Sequence, residues 1–178
     1  MGEIKKSPKV KLFCGVLFAK AEWWNDIVNI LAENFGEIDF ESKLINFAFT
    51  KYYEDEIGKM VFRKFVTFKD LKSSDILADV KIKTNQLEEL FFDKDGFKRP
   101  VNIDPGYIES SKLILASTKN FFHRIYIGKG IFAEITTHYS AKQWQFFQWT
   151  YPDYQSDEYL DFFSIVRKNY LKQLDEEK

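Results

Sequence analysis

Cysteine is nearly absent from this chain, and its scarcity narrows the chemistry that the protein can perform. The single cysteine, Cys14, among 178 residues excludes an internal disulfide and a cysteine-based zinc site. Cys14 lies inside the apolar run Lys-Leu-Phe-Cys-Gly-Val-Leu-Phe, so we expect a buried and unreactive thiol.

Long apolar runs and a strong net charge are also missing. The longest apolar candidate, Val10 to Ala19, is interrupted by Lys11 and is too short to span a membrane. The formal net charge is -1, which disfavours nucleic-acid binding by bulk electrostatics. We therefore expect a cytoplasmic protein without membrane attachment and without a nucleic-acid partner.

Several well-known site motifs do not occur in the sequence. It contains no Gly-x-x-x-x-Gly-Lys-Ser/Thr loop, no Gly-x-Gly-x-x-Gly, no His-x-x-x-His and no Gly-x-Ser-x-Gly. The residues therefore identify neither a reaction nor a cofactor.

What the chain does contain is typical of one folded domain. Hydrophobic residues make up 45% and charged residues 30%, which predicts a single domain over residues 1–178 with a loose N-terminus at 1–8. Only four of the 26 basic residues are arginine. Because arginine provides planar, bidentate recognition that lysine cannot, these four are better site candidates than any lysine. They are Arg63, Arg99, Arg124 and Arg167.

The first hundred residues alternate between strand and helix patterns. We predict strands over Lys11 to Ala19, Leu44 to Thr50, Met60 to Phe68 and Pro100 to Ile103, and helices over Ala21 to Phe35 and from a cap at Ser73 or Ser74 to near Gly96. This β-α-β-β-α-β order predicts an α+β protein with a ferredoxin-like start, in which an antiparallel sheet carries its helices on one face.

The remaining chain predicts a turn, a hairpin and a final helix. Asp104-Pro105-Gly106-Tyr107 is typical of a tight turn, and Ser110 to Thr118 fits either a short helix or an extended segment. Trp144 to Trp149 adds another strand, and a helix covers Ser156 to about Leu174.

His123 to Ile127 and Ile131 to Tyr139 form the predicted hairpin around Gly128-Lys129-Gly130. A three-residue glycine loop predicts a register that pairs Ile127 with Ile131, Ile125 with Ala133, Tyr126 with Phe132 and Arg124 with Glu134. The isoleucines would then face the core.

The first candidate site is Asn102-Ile103-Asp104-Pro105-Gly106-Tyr107. Asn102, Asp104 and Tyr107 would present an amide, a carboxylate and a phenol from a strand end. An equally good interpretation is that Asp104 only braces its turn through backbone hydrogen bonds.

The second candidate site is the hairpin face that carries Arg124, Tyr126, Glu134, Thr136 and His138. An arginine, a carboxylate and an imidazole on one face could bind a phosphate or carboxylate and transfer a proton. The alternative is a solvated face with one Arg124–Glu134 pair. His123 has the opposite parity and is expected to pack toward the core beside Ile135.

Two further segments are weaker candidates. Tyr52-Tyr53-Glu54-Asp55-Glu56 is acidic but matches no metal-binding spacing, so no metal site is predicted. The run from Trp149 to Tyr154, which includes Tyr151 and Asp153, clusters rings that could wall a pocket or tether the last helix.

Several segments together resemble a bacterial family known as domain of unknown function 4416. They are Lys11 to Phe13, Phe47 to Tyr53, Val101 to Tyr107, His123 to Ile127, Gly130 to Glu134 and Trp149 to Tyr154. The resemblance spans nearly the whole chain and implies no established activity. Some members carry the label GTP-binding protein, but this chain has no P-loop to support that label.

The sequence thus leads to two functional hypotheses. The first is a domain that binds a small anionic ligand, such as a nucleotide, anchored by Arg124 and Asp104. The second is a non-catalytic interaction module whose exposed rings contact a partner protein. A concave pocket that contains these polar residues would favour the first hypothesis, and a flat aromatic surface would favour the second.

Overall fold

The computed structural model describes residues 2–3, 7–48, 57 and 60–176. Within them the strands are Lys11–Phe18 (β1), Ile38–Glu41 (β2), Ile45–Asn46 (β3), Phe62–Phe68 (β4), Val101–Ile108 (β5), Lys112–Ser117 (β6), Ile125–Gly128 (β7), Ile131–Ser140 (β8) and Gln143–Phe146 (β9). The helices are Trp24–Phe35 (α1), Leu77–Glu89 (α2) and Asp157–Glu176 (α3). The predicted α+β class is confirmed.

The strands form one antiparallel sheet in the order β2-β4-β1-β5-β6-β8-β7, with β3 paired to β4 and β9 paired to β8. Strand β1 lies between β4 and β5. Each of α1 and α2 therefore connects two strands that are separated by a third, as in a split β-α-β unit.

One face of the sheet packs against α1 and α2. Cys14 and Val16 of β1 share a core with Ile27 and Leu31 of α1 and with Val80 of α2. Cys14 is fully buried, as predicted, and this burial raises the pKa of its thiol far above the ordinary value. The prediction that the helices pack on one face holds for these two helices.

The opposite face packs against α3. Phe13 of β1 and Phe65 of β4 contact Tyr159, Phe162 and Phe163 of that helix through a cluster of edge and stacked ring contacts. Residues that alternate along β1 are buried on both sides, which is why its sequence is almost continuously apolar.

The predicted turn at Asp104 to Tyr107 is wrong, because these residues lie inside β5. Asp104 pairs with Gly15 of β1, and Pro105 pairs with Cys14. Pairing between β5 and β6 begins only at Gly106. Pro105 has no N–H to donate, but it therefore interrupts no hydrogen bond between these two strands. The undecided segment Ser110 to Thr118 contains β6 and is a strand.

Three further differences occur in the first half of the chain. Strand β2 was not predicted, because it is short and alternates between half-buried and exposed residues. Strand β3 is shorter than the predicted Leu44 to Thr50, and residues 49–56, with most of the acidic connector, lie outside the described residues. Ser73 precedes α2 but makes no side-chain capping hydrogen bond.

The hairpin register is partly as predicted. Ile125 pairs with Ala133 and Tyr126 with Phe132, but Gly128 takes the place predicted for Ile127 opposite Ile131. Lys129 and Gly130 have φ values of 54° and 78°, which are the positive angles of a two-residue type I′ turn. The extra residue is absorbed by a bulge before the turn.

Candidate functional site

The loop after β9 completes the edge of β8. Strand β7 pairs with the start of β8, and β9 pairs with its end. In the gap between them, Trp149 Nε1 donates to the carbonyl of Ile135 at 2.9 Å, and Thr150 Oγ1 donates to the carbonyl of Thr136 at 2.6 Å. The aromatic segment predicted as a pocket wall thus serves as a substitute strand.

Glu134 of β8 is the centre of a buried polar group beside this gap. Its carboxylate accepts a hydrogen bond from Arg124 Nε at 2.7 Å and lies 3.0 Å from His123 Nε2. Thr136 Oγ1 also approaches it, at 3.4 Å. The predicted Arg124–Glu134 pair is therefore confirmed.

Each of the three guanidinium nitrogens of Arg124 has a partner within the chain. Besides Glu134, Nη1 donates to the carbonyl of Lys119 at 3.0 Å, and Nη2 donates to the Tyr151 hydroxyl at 2.8 Å. Burial lowers the pKa of Arg124, but the hydrogen bond and charge of Glu134 outweigh it and raise the pKa. Arg124 thus ties two loops to the sheet.

His123 was predicted to pack toward the core beside Ile135; its side chain is only 7% exposed, and the contacts it makes are with Glu134 and with Trp149, whose indole N–H donates to the Ile135 carbonyl. The His123 ring stacks on Trp149 at a centroid distance of 5.1 Å, while Phe147 covers the other face of Trp149 at 4.7 Å. His123 precedes β7, so the alternation of a strand does not set its direction. The structure therefore joins His123, and not His138, to the Arg124–Glu134 pair.

A bulge in β8 removes His138 from the predicted group. Leu113 pairs with Thr137 but Ile114 pairs with Ile135, so Thr136 and Thr137 are both buried. Beyond this bulge, side chains that regular alternation would place on one face of the sheet lie on the other face. The His138 ring contacts Phe147 instead, at 5.1 Å.

Tyr107 is separated from Asp104 by the sheet. It packs beside Leu77 and Ala78 of α2, on the α1–α2 side, where burial raises its pKa. Asp104 has the opposite parity on β5, so the two side chains cannot share one face.

Asn102, Asp104 and Asp153 meet around Arg63. Asn102 Nδ2 donates to Asp104 Oδ2 at 2.8 Å, and the Arg63 guanidinium lies 3.6 Å from Asp104 and 3.4 Å from Asp153. Arg63 Nε also donates to the Tyr159 hydroxyl at 3.0 Å. We call these five residues the Arg63 cluster. Sequence reasoning had singled out Arg63 only through the scarcity of arginine.

Helix α2 completes the edge of β5 next to this cluster. Ile103 N–H donates to Glu88 Oε1 at 2.8 Å, and Lys81 Nζ donates to the Ile103 carbonyl at 2.9 Å. Burial raises the pKa of Glu88 to about 7, although Lys81 and the Ile103 amide partly oppose the rise. Two ionisable side chains, Glu88 and Lys81, thus replace a neighbouring strand beside Asp104.

Strand β7 carries an exposed apolar surface, although its isoleucines were predicted to face the core. Five large apolar residues of β7 and of the segment before it are 38% to 70% exposed: Phe121, Phe122, Ile125, Tyr126 and Ile127. We call them the edge patch. Strand β7 is last in the sheet order, so no further strand covers it within the described part of the chain.

Two surface depressions lie elsewhere on the molecule. One of about 480 Å³ is lined by Lys9, Lys69, Asp70, Leu71, Lys72, Gln173 and Glu176. Another, of about 310 Å³, is lined by Asp26, Asn29, Ile30, Leu90, Phe91 and Lys94. None of the predicted site residues lines either depression.

Two kinds of feature do not occur among the described residues. They contain no group of three or more His, Cys, Asp or Glu side chains placed to hold a metal ion. None of the helices formed by those residues is both long enough and apolar enough to cross a membrane.

Comparisons with other proteins identify a family but no characterised relative. Neither the curated proteins nor the solved structures include a match to this chain. A family model described as "Domain of unknown function (DUF4416)" matches residues 8–170, which cover most of the sequence. The chain therefore belongs to this family, as the resemblance of its motifs predicted.

Proposed function

We propose that this domain binds a partner protein, and that an extended segment of the partner adds to the sheet along β7. The observation that supports this proposal is the edge patch, in which five large apolar side chains are exposed around a terminal strand. Exposed apolar surface on an unpaired edge is a ready template for another strand. Natural monomers rarely keep such an edge without a use for it.

The buried polar group supports the patch from behind. Glu134, Arg124 and Tyr151 tie the segment before β7 to β8 and to the loop after β9. A surface held in place in this way loses little conformational entropy on binding. The polar motif residues then act as supports for the aromatic surface.

The charge around β7 indicates the kind of partner. Residues 117–133 include Lys119, Arg124 and Lys129 but no aspartate or glutamate. Arg124 is engaged by the buried Glu134, whereas Lys129 pairs with Asp79 at the surface, where both side chains are more than half exposed and the pair contributes little. Lys129 can therefore exchange this partner for an acidic residue of another chain. We therefore expect a partner strand with apolar side chains flanked by acidic residues. A second copy of the chain fits less well, because the same segment of that copy has no aspartate or glutamate to pair with Lys129.

A small anionic ligand anchored jointly by Arg124 and Asp104 has less support. Each guanidinium nitrogen of Arg124 already has an acceptor within the chain. Around Asp104, the positive charges of Arg63 and Lys81 are balanced by the negative charges of Asp104 and Asp153. Neither position offers the excess of positive charge that a nucleotide phosphate requires.

A peptide-binding experiment tests the proposal. The probe is a synthetic peptide of alternating valine and tyrosine flanked by aspartates, and its binding is measured by fluorescence anisotropy. Ile125→Lys should weaken binding at least about tenfold, since burial of one isoleucine contributes roughly 1.5–3 kcal/mol. Leu90→Lys is the matched control, because Leu90 is similarly exposed but lies at the end of α2.

Three results would overturn the proposal. Equal peptide binding by the two variants would exclude β7 as the site. Equal binding of a lysine-flanked peptide would refute the charge argument. A concentration-dependent dimer that sedimentation detects and Ile125→Lys abolishes would identify a second copy, and not another protein, as the occupant. Circular dichroism would verify that both variants are folded.

A further inference from the structure

The Arg63 cluster contains a buried cationic group with an unused donor. The Arg63 side chain is only 4% exposed, yet its Nη1 has no hydrogen-bond partner. The Asp104 carboxylate lies 3.6 Å from Nη1, which is too far for a hydrogen bond. A buried donor in this state is costly and is normally explained by a partner such as a water or a ligand.

The cluster reaches solvent at Asp104. The Asp104 side chain is 28% exposed, while those of Arg63, Lys81 and Asp153 are 4%, 7% and 9% exposed. Lys81 Nζ lies 3.6 Å from Asp104 Oδ1, so this second cation also faces the carboxylate without bonding to it. An incoming group would meet Asp104 first, and each of the two cations lies 3.6 Å from its carboxylate.

The charges decide which chemical group fits. A phosphate or carboxylate would be repelled by Asp104 and Asp153, and a metal ion would be repelled by Arg63 and Lys81. A hydroxyl group donates to a carboxylate and accepts from a cation through the same oxygen atom. Two adjacent hydroxyls could use both carboxylate oxygens of Asp104 and both cations.

We propose that Asp104, backed by Arg63 and Lys81, binds vicinal hydroxyl groups of a neutral ligand, either a free sugar or the ribose of a nucleoside. This site is distinct from the edge patch and uses different residues. The failure of one proposal therefore leaves the other unaffected.

An NMR titration of the full chain tests the site. The probes are D-glucose, adenosine and 2′-deoxyadenosine, and the signals are the Arg63 Nε–H and the backbone amides of Asn102 to Asp104. We expect glucose, adenosine or both to shift these signals, and this choice separates a free sugar from a nucleoside. If adenosine binds, 2′-deoxyadenosine should bind at least about tenfold more weakly, because it lacks one of the two hydroxyls.

Variants and other ions complete the test. Asp104→Asn should weaken binding at least about tenfold, and Asp26→Asn, at an exposed carboxylate elsewhere, should not. The proposal is wrong if no diol moves the wild-type signals, or if the two variants bind alike. It is also wrong if inorganic phosphate or Mg²⁺ shifts these signals in place of the diols. Should Asp104→Asn fail to fold, the wild-type titration alone decides.

Discussion

Glu88 allows the clearest quantitative prediction. Its side chain is 3% exposed, and its carboxylate accepts a hydrogen bond from the Ile103 amide. In a continuous sheet, the carbonyl of a neighbouring strand would be this acceptor. Burial raises the pKa of Glu88 from 4.5 to about 7, against the opposing effects of Lys81 and the Ile103 amide. The substitution Glu88→Gln keeps an oxygen acceptor of similar shape but cannot ionise.

The sign of the effect follows from proton linkage. Between the unfolded pKa near 4.5 and the folded pKa of about 7, the native state holds a proton on Glu88 that the unfolded state has lost. The contribution of Glu88 to stability is therefore greatest at low pH and is lost as the pH rises through this window. A shift of this size corresponds to about 3 kcal/mol. Glu88→Gln should come within about 1 kcal/mol of wild type at pH 5 and exceed it by up to about 3 kcal/mol at pH 8.

The assay is urea unfolding, followed by tryptophan fluorescence at several pH values between 5 and 8. The measured quantity is the difference in the free energy of unfolding between variant and wild type, in which other titrating groups cancel. Glu89→Gln is the control, because it removes the same charge from an exposed neighbouring position. A difference for Glu88→Gln that stays constant over this pH range would refute the reasoning.

Three further predictions concern the buried supports of the fold. Glu134→Ala leaves Arg124 without its carboxylate and should lower the free energy of unfolding by about 3 kcal/mol or more, and a loss below about 1 kcal/mol in urea unfolding would contradict this. Gly106→Ala should cost at least about 2 kcal/mol by the same assay, because its new Cβ would overlap the Ile114 carbonyl oxygen; a near-native midpoint would show that the strands can separate there. Cys14 should resist a thiol reagent until denaturant is added, since it is fully buried, and rapid labelling of the native protein would disprove its burial.

The edge patch also predicts a solution property. Wild-type protein should show lower solubility at high concentration than Ile125→Lys, since the variant places a charge on an exposed strand edge. Light scattering over a concentration series would measure this difference. The expected species are large, irregular aggregates, and not the defined dimer that would identify a second copy as the occupant. Equal scattering by both proteins would mean that the patch is too small to drive aggregation.

Much of the fold was accessible from local patterns. The continuous apolar run of β1 predicted a central strand, and helical spacing placed α1 and α3 within a few residues of their observed bounds. The Arg124–Glu134 contact was also accessible, because the two residues flank a short glycine turn. In each case, the information lies within a short stretch of chain.

The sequence by itself therefore determined the α+β class, the central strand and the short-range pairing of the hairpin. Only the tertiary structure decided that Asp104 lies inside a strand, that the β8 bulge turns His138 away from Glu134, and that Arg63 joins Asp104 to Asp153. A proline-glycine pair is a turn signal unless a distant strand supplies the ladder, and here β1 supplies it across about ninety residues. Alternation along a strand predicts the face of the sheet on which a side chain lies, but only until a bulge inserts one extra residue. Such contacts depend on which strands become neighbours, and no short stretch of sequence contains that information.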